Sequence, residues 1–161
     1  MAVRNPAVIA EGAKAFGSQC IVLSTQVKRV TATEKIPSGY EVYIDGARVA
    51  TGMDAIEWIK RGQDLGAGEI CVNSIDNDGT LSGYDLELMM LAEAAVTVPL
   101  IASGGAGKPE HLKALFAGTQ TQAAIISSML YSPRMEKNFS VHELKAYLMQ
   151  NDINVRPPRI A

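Results

Sequence analysis

The sequence has no apolar run near the ~20 residues that a membrane-spanning helix needs, and its amino-terminal stretch carries no apolar core of the signal-peptide kind. It is poor in metal-ligating side chains, with two histidines and two cysteines. Neither His111 nor His142 has a partner at zinc-ligand spacing, so no metal site and no cofactor are expected. Cys20 and Cys71 each lie inside an apolar run, and read as reduced core thiols rather than a disulfide. There is no excess of positive charge, the formal net charge being -2, which argues against binding to nucleic acid or another polyanion. These shortages predict a soluble, cytoplasmic protein with neither nucleic acid nor membrane as partner.

What is present is a chain of 161 residues, 47% hydrophobic and 20% charged, which is enough for one domain, 1–161, with a real core. Helices and strands alternate along it. Asn5-Pro6 predicts a helix start with Ile9, Ala13 and Phe16 on one face, stopped by Gly17. A strand is expected over residues 20–23, opening onto Ser24, Thr25, Gln26 and the pair Lys28-Arg29. Residues 40–44 and 47–51 flank Asp45-Gly46, a two-residue hairpin signal. Asp54 and Glu57 start the next helix in the manner of a capping box. A strand over 69–73, a helix capped by Asp85, a strand over 100–102, a helix opened by Pro109, a strand over 123–126 and a helix boxed by Ser140 and Glu143 complete the pattern.

The stretches "FGSQCIVLST" and "LGAGEICVNS" superpose without a gap, each with a glycine helix stop, a short turn and a strand with a polar end. This reuse of one unit, with apolar strands between amphipathic helices, predicts an α/β fold with a parallel sheet covered by helices. Four strand–helix units follow the leading helix.

The chemistry concentrates in three turns at carboxyl ends of strands: Asp78-Gly79, Ser103-Gly104-Gly105-Ala106-Gly107 and Ser127-Ser128. Phosphate binding requires free backbone N–H groups converging on a small space, which glycine permits and serine supplements with a hydroxyl. One such turn alone is ordinary βα geometry. Three, two of them after the last strands, point to a phosphate site of the (βα)₈-barrel kind. Such a barrel needs eight strands, and four leave two unpaired edges and half the interior facing water. Asp76 and Asp78 are each either a general base or a loop-fixing carboxylate. Lys28-Arg29 reads as an anion contact or a solvated loop start. Glu69 lies at the opposite end of its strand from the glycine turns. Trp58, Met89 and Met90 read as helix packing, and His111 and His142 as exposed.

The segments "FGSQCIVLSTQVKRV", "GAGEICVNSIDNDGTLSGYDLEL", "PLIASGGAGKPEHL" and "INVR" together resemble the cyclase subunit of imidazole glycerol phosphate synthase, a (βα)₈ barrel of histidine biosynthesis built from two similar halves. The resemblance runs over residues 3–156 and corresponds to the carboxyl-terminal half, strands five to eight. It implies a (βα)₄ half of a TIM barrel, completed by homodimerisation. It also implies a cyclase (lyase) that takes ammonia from a glutaminase partner and acts on a bisphosphorylated ribulosyl nucleotide.

Carried onto this sequence, the family's second-half phosphate site falls on Asp78, Gly79, Ser103, Gly104, Gly105, Ser127 and Ser128. Glu69 matches a carboxylate of the charged gate at the ammonia entrance. The family's second-half catalytic aspartate falls on Gln26. An amide cannot exchange a proton with substrate near neutral pH, so the acid–base role is lost there. The resemblance therefore implies a phosphate-binding, self-associating half barrel without cyclase activity alone. The alternatives are the second half of a split, active cyclase paired with a first-half chain, a paralogue in sugar amidotransfer, or a non-enzymatic module.

Overall fold

The computed structural model describes residues 2–135 and 137–157. Its centre is one six-stranded sheet in the order β3-β2-β1-β4-β5-β6, formed by β1 (Val22–Arg29), β2 (Tyr40–Ile44), β3 (Val49–Asp54), β4 (Glu69–Ser74), β5 (Leu100–Ser103) and β6 (Ala123–Ala124). The strands β1, β4, β5 and β6 run parallel and lie side by side in chain order, as successive βα units dictate. The hairpin β2–β3 joins antiparallel at the far side of β1.

The helices are α1 (Ala7–Phe16), α2 (Ala55–Asp64), α3 (Leu86–Ala95), α4 (Pro109–Gly118), α5 (Ser128–Tyr131) and α6 (Val141–Gln150). Their starts follow local chemistry. The Asp54 carboxylate accepts the N–H groups of Ile56 and Glu57, and that of Asp85 accepts the N–H of Leu88. Ser140 and Glu143 form a complete reciprocal capping box, and Pro109 opens α4 where a missing N–H costs nothing. At α1 the cap is Pro6 with no side-chain bond, so Asn5 does not serve as the expected cap.

Side chains alternate across a strand, and here one face is buried while the other is open. Leu23, Thr25 and Val27 of β1, Ile70 and Val72 of β4, and Leu100 and Ala102 of β5 face the helices and are buried. The core is completed by Trp58 and Ile59 of α2, Leu88 and Met89 of α3, Leu112 and Leu115 of α4, and Leu144 and Leu148 of α6. Helix α2 approaches β1 very closely: a Cβ at Gly62 would stand 2.2 Å from a Leu23 methyl. On the opposite face lie Ser24, Gln26, Glu69, Asn73, Ile101, Ser103 and Ile125, partly or fully exposed except where neighbours crowd Cys71.

Several expectations need correction. The strand expected over 20–23 is instead β1, which runs from Val22 through the polar residues to Arg29. The backbone of 26–29 pairs with β2, and that of 26–27 also with β4, and this ladder carries the strand past the end of the apolar run. Cys20 lies before the strand in a single 3₁₀ turn and is exposed, so only Cys71 is a buried thiol. The hairpin turn spans 45–48 rather than two residues, with Asp45, Gly46 and Ala47 all at positive φ and the Arg48 N–H donating to the Ile44 carbonyl. The β6 ladder is two residues long, shorter than the stretch 123–126. His111 is half-buried, not exposed, while His142 is exposed. The edge beyond β1 is also not wholly open. The hairpin covers residues 26–29, and 22–25 have no strand partner on that side among the described residues.

Candidate functional site

The turns after β4, β5 and β6 meet at one end of the sheet because parallel strands present all their carboxyl ends together. All seven residues expected to form a phosphate site, Asp78, Gly79, Ser103, Gly104, Gly105, Ser127 and Ser128, line a single cavity of about 40 Å³. A buried water needs ~10–15 Å³ on this measure, so the space fits a group of phosphate size and not a whole nucleotide. Among the described residues, no protein acceptor receives the N–H groups of Gly79, Gly104, Gly105 or Ser127. Four unused donors around one small space favour an anion.

The turn shapes are fixed by contacts that exclude larger residues. Gly105 has φ +106, and a Cβ there would meet the Gly83 carbonyl oxygen at 2.0 Å. That approach is used: the Gly83 N–H donates to the Gly105 carbonyl at 2.8 Å, and the Asn77 amide donates to the Gly83 carbonyl at 2.8 Å. The β4 and β5 turns are thus sewn together. His111, from the first turn of α4, accepts the Gly107 N–H on Nδ1 at 3.1 Å. Burial first, then Lys108, pushes its pKa below the usual value, against an opposing effect of Glu110.

Of the two loop aspartates, Asp76 accepts the Arg29 N–H at 2.8 Å and ties its loop to the end of β1, which is the loop-fixing role. Asp78 lines the cavity. Lys28 and Arg29 belong to the strand itself. Lys28 lies over the Tyr43 ring, and Arg29 lies over the Tyr40 ring while pairing with Asp85 and Glu87. Neither lines the cavity. Burial foremost, then Asp85, drives the Tyr40 hydroxyl to a far higher pKa than usual, so it stays protonated and donates to Asp85.

Gln26 is placed in register with Asn73 of β4, and Asn73 with Ser103 of β5. The amide therefore lies on the open face, two strands and roughly 10 Å from the serine that lines the cavity. Among the described residues its buried Oε1 has no hydrogen-bond partner, nor has the Thr25 hydroxyl oxygen on the other face. Glu69 starts β4 opposite Val22, at the far end of the sheet from the cavity. Among the described residues no lysine or arginine pairs with it.

Two residues beside the cavity carry no local sequence signal. Arg134 donates from its guanidinium to the Gly79 carbonyl at 2.8 Å, bringing a cation to the turn. His111 was legible only as a helix residue, since its target is a backbone N–H four positions earlier. No group of three or more metal-ligating side chains is found among the described residues, and no helix there is long and apolar enough to cross a membrane.

A parallel βα sheet with its polar cavity built from glycine and serine turns at the strand carboxyl ends defines an α/β protein of the TIM-barrel type. Comparison with known proteins narrows this. The chain belongs to the histidine biosynthesis protein family, whose sequence profile matches residues 1–136. It is 48% identical over 155 residues to the imidazole glycerol phosphate synthase subunit HisF of Desulfatibacillum aliphaticivorans, covering 96% of this chain and 58% of that one. The same subunit from Syntrophobacter fumaroxidans is 49% identical over the same shares, and that from Nitratidesulfovibrio vulgaris is 53% identical over 130 residues, 81% of this chain and 50% of that one. The chain thus spans somewhat over half the length of the relatives it matches.

Proposed function

We propose that these 161 residues form one domain equivalent to the carboxyl-terminal half, strands five to eight, of a synthase cyclase barrel in histidine biosynthesis, and that it binds the phosphate group of a phosphorylated sugar or nucleotide. The observation that carries this is the cavity lined by Gly79, Gly104, Gly105 and Ser127, whose N–H groups have no acceptor among the described residues. Titration of the chain with inorganic phosphate, followed by amide NMR shifts, tests it. Saturable shifts at these four residues are expected, and shifts scattered over the surface would remove the site.

Gln26 stands where the family resemblance places a proton-transfer carboxylate, so this domain alone has no cyclase activity. Glu69 is the gate-like carboxylate at the opposite end. The relatives are named as a subunit of a synthase, which supports a partner chain such as a glutaminase.

Self-association completes the barrel. It is supported by the outer edge of β1 at 22–25, which has no strand partner among the described residues, and by exposed Val22 and Ile125 on the open face. Light scattering at micromolar concentration is expected to give a dimer or larger species. A monomer that still binds phosphate would remove the self-association and leave the site.

A further inference from the structure

We infer that His111 is a positioning residue for the anion cavity: by holding the Gly107 N–H it fixes the turn after β5 in the shape that turns Ser103, Gly104 and Gly105 toward the ligand. The inference rests on the phosphate reading above and adds a residue outside the cavity lining.

Beyond close packing on the β4 loop at Ser74 and Leu81, the turn is held by two hydrogen bonds. Gly104 and Gly105 are both at positive φ, and glycine is the residue with most backbone freedom to lose. Its two ends are tied differently. At one end the Gly105 carbonyl accepts from Gly83 at 2.8 Å. At the other, the Gly107 N–H is taken by the imidazole at 3.1 Å. His111 also faces the β4 turn, since a Cβ added at Gly83 would meet the ring at 3.5 Å. The imidazole therefore binds the β5 turn and faces the β4 turn, the two that carry Gly79, Gly104 and Gly105 of the cavity. Helix α4 supplies the rigidity, because Pro109 opens it and the His111 N–H closes its first turn on the Lys108 carbonyl at 3.0 Å.

Nδ1 accepts a hydrogen bond only while it carries no proton. Neutral His111, with its proton on Nε2, makes the Gly107 bond, and the imidazolium cannot. The charged groups acting on the ring are Lys108 and Glu110, on its own end of α4, with burial the leading influence toward the neutral form. Anion binding should accordingly carry a step in which protonation of His111 loosens the turn.

Sulfate is the probe for that step, because its charge does not change between pH 5 and pH 8, and inorganic phosphate is the probe at fixed pH 7.5. Titration calorimetry with the 161-residue chain compares wild type, His111→Phe, which keeps a ring against Gly83 without an acceptor, and His111→Asn, whose amide oxygen can take the place of Nδ1. His111→Phe is expected to bind both anions about three- to tenfold more weakly, the range of one lost hydrogen bond. His111→Asn is expected to stay within about twofold of wild type and to lose the low-pH step in sulfate binding. Wild-type binding with His111→Phe unchanged, or with His111→Asn as weak as His111→Phe, overturns the inference alone. If His111→Phe does not fold, the two pH profiles decide: a step of equal size in wild type and His111→Asn overturns it. No saturable binding by the folded wild-type chain overturns the phosphate reading and this inference with it.

Discussion

Gln26 and Asn73 are register partners across β1 and β4, two amides side by side on the open face of the sheet. Asn73 has a neighbour of its own in Ser103, at the mouth of the anion cavity. The row therefore runs from the place where the family resemblance expects a proton-transfer group to the place where it expects a phosphate. A carboxylate at position 26 would lie in that row and break no hydrogen bond of the Gln26 Oε1, which has no partner among the described residues. Gln26→Asp, supplied with the amino-terminal half of a family member as a separate chain, is expected to raise turnover of the bisphosphorylated substrate by at least about 100-fold, the lower range for a general acid–base group. Turnover equal to that of the Gln26 chain would show that position 26 is not where the proton moves.

The sewn turns make a sharper stability prediction. Gly105→Ala places a methyl 2.0 Å from the Gly83 carbonyl oxygen at a backbone angle that alanine resists. The Gly83–Gly105 bond must break or the β5 turn must move. Urea denaturation is expected to show a loss of about 3 kcal/mol, with phosphate binding abolished in whatever folded fraction remains. Gly118→Ala is the matching control, since open space surrounds it and its φ is not positive. A loss as large there would deny the close approach its special cost.

How much of this was readable beforehand depends on the range of the forces concerned. The caps at Asp54, Asp85 and Ser140 and the start at Pro109 are contacts within four residues, and the sequence pattern displays them directly. The three glycine–serine turns were legible as chemistry because a parallel sheet brings successive carboxyl ends together. The length of β1 was not. Its polar half is held as strand by pairing with β4 at Ser24–Val27 and with Tyr40–Tyr43 at Gln26–Arg29, contacts whose register no local pattern announces. Cys20 falls before the strand for a related reason: an apolar run marks a strand's neighbourhood but not its first ladder residue. His111 and Arg134 reach backbone groups of other turns, so their roles became visible only in three dimensions.

Asp85 holds three jobs at once, and their loss should show together. It caps α3, accepts the Tyr40 hydroxyl at 3.1 Å and pairs with Arg29 at 3.3 Å. Tyr40 is 1% exposed, so its hydroxyl has no water to fall back on. Asp85→Ala is expected to cost about 2 kcal/mol in urea denaturation, from the cap and the stranded hydroxyl together. Arg29 adds little to that figure because its side chain is half exposed and solvent screens it. Tyr40→Phe made on the Asp85→Ala background should recover part of the loss. A double variant no more stable than Asp85→Ala would mean that the hydroxyl was never left unpaired.

The capping box of α6 predicts a pH dependence in a separate part of the molecule. The Ser140 N–H, then the Lys137 ammonium at 2.9 Å and the Ser140 hydroxyl, hold the Glu143 carboxyl at about 2, below its ordinary value of 4.5. The folded state thus keeps this group ionised where the unfolded chain would protonate it. Stability from the box is complete above pH 4.5 and is lost as pH falls from there toward 2. Thermal melts between pH 5 and pH 3 should therefore fall more steeply for the wild-type chain than for Glu143→Gln, whose amide cannot titrate. NMR of the Glu143 side-chain carboxyl should place its midpoint near 2, where the box holds it. Parallel melting curves for the two proteins, or a midpoint at the ordinary 4.5, would show that the reciprocal cap does not hold the charge in solution.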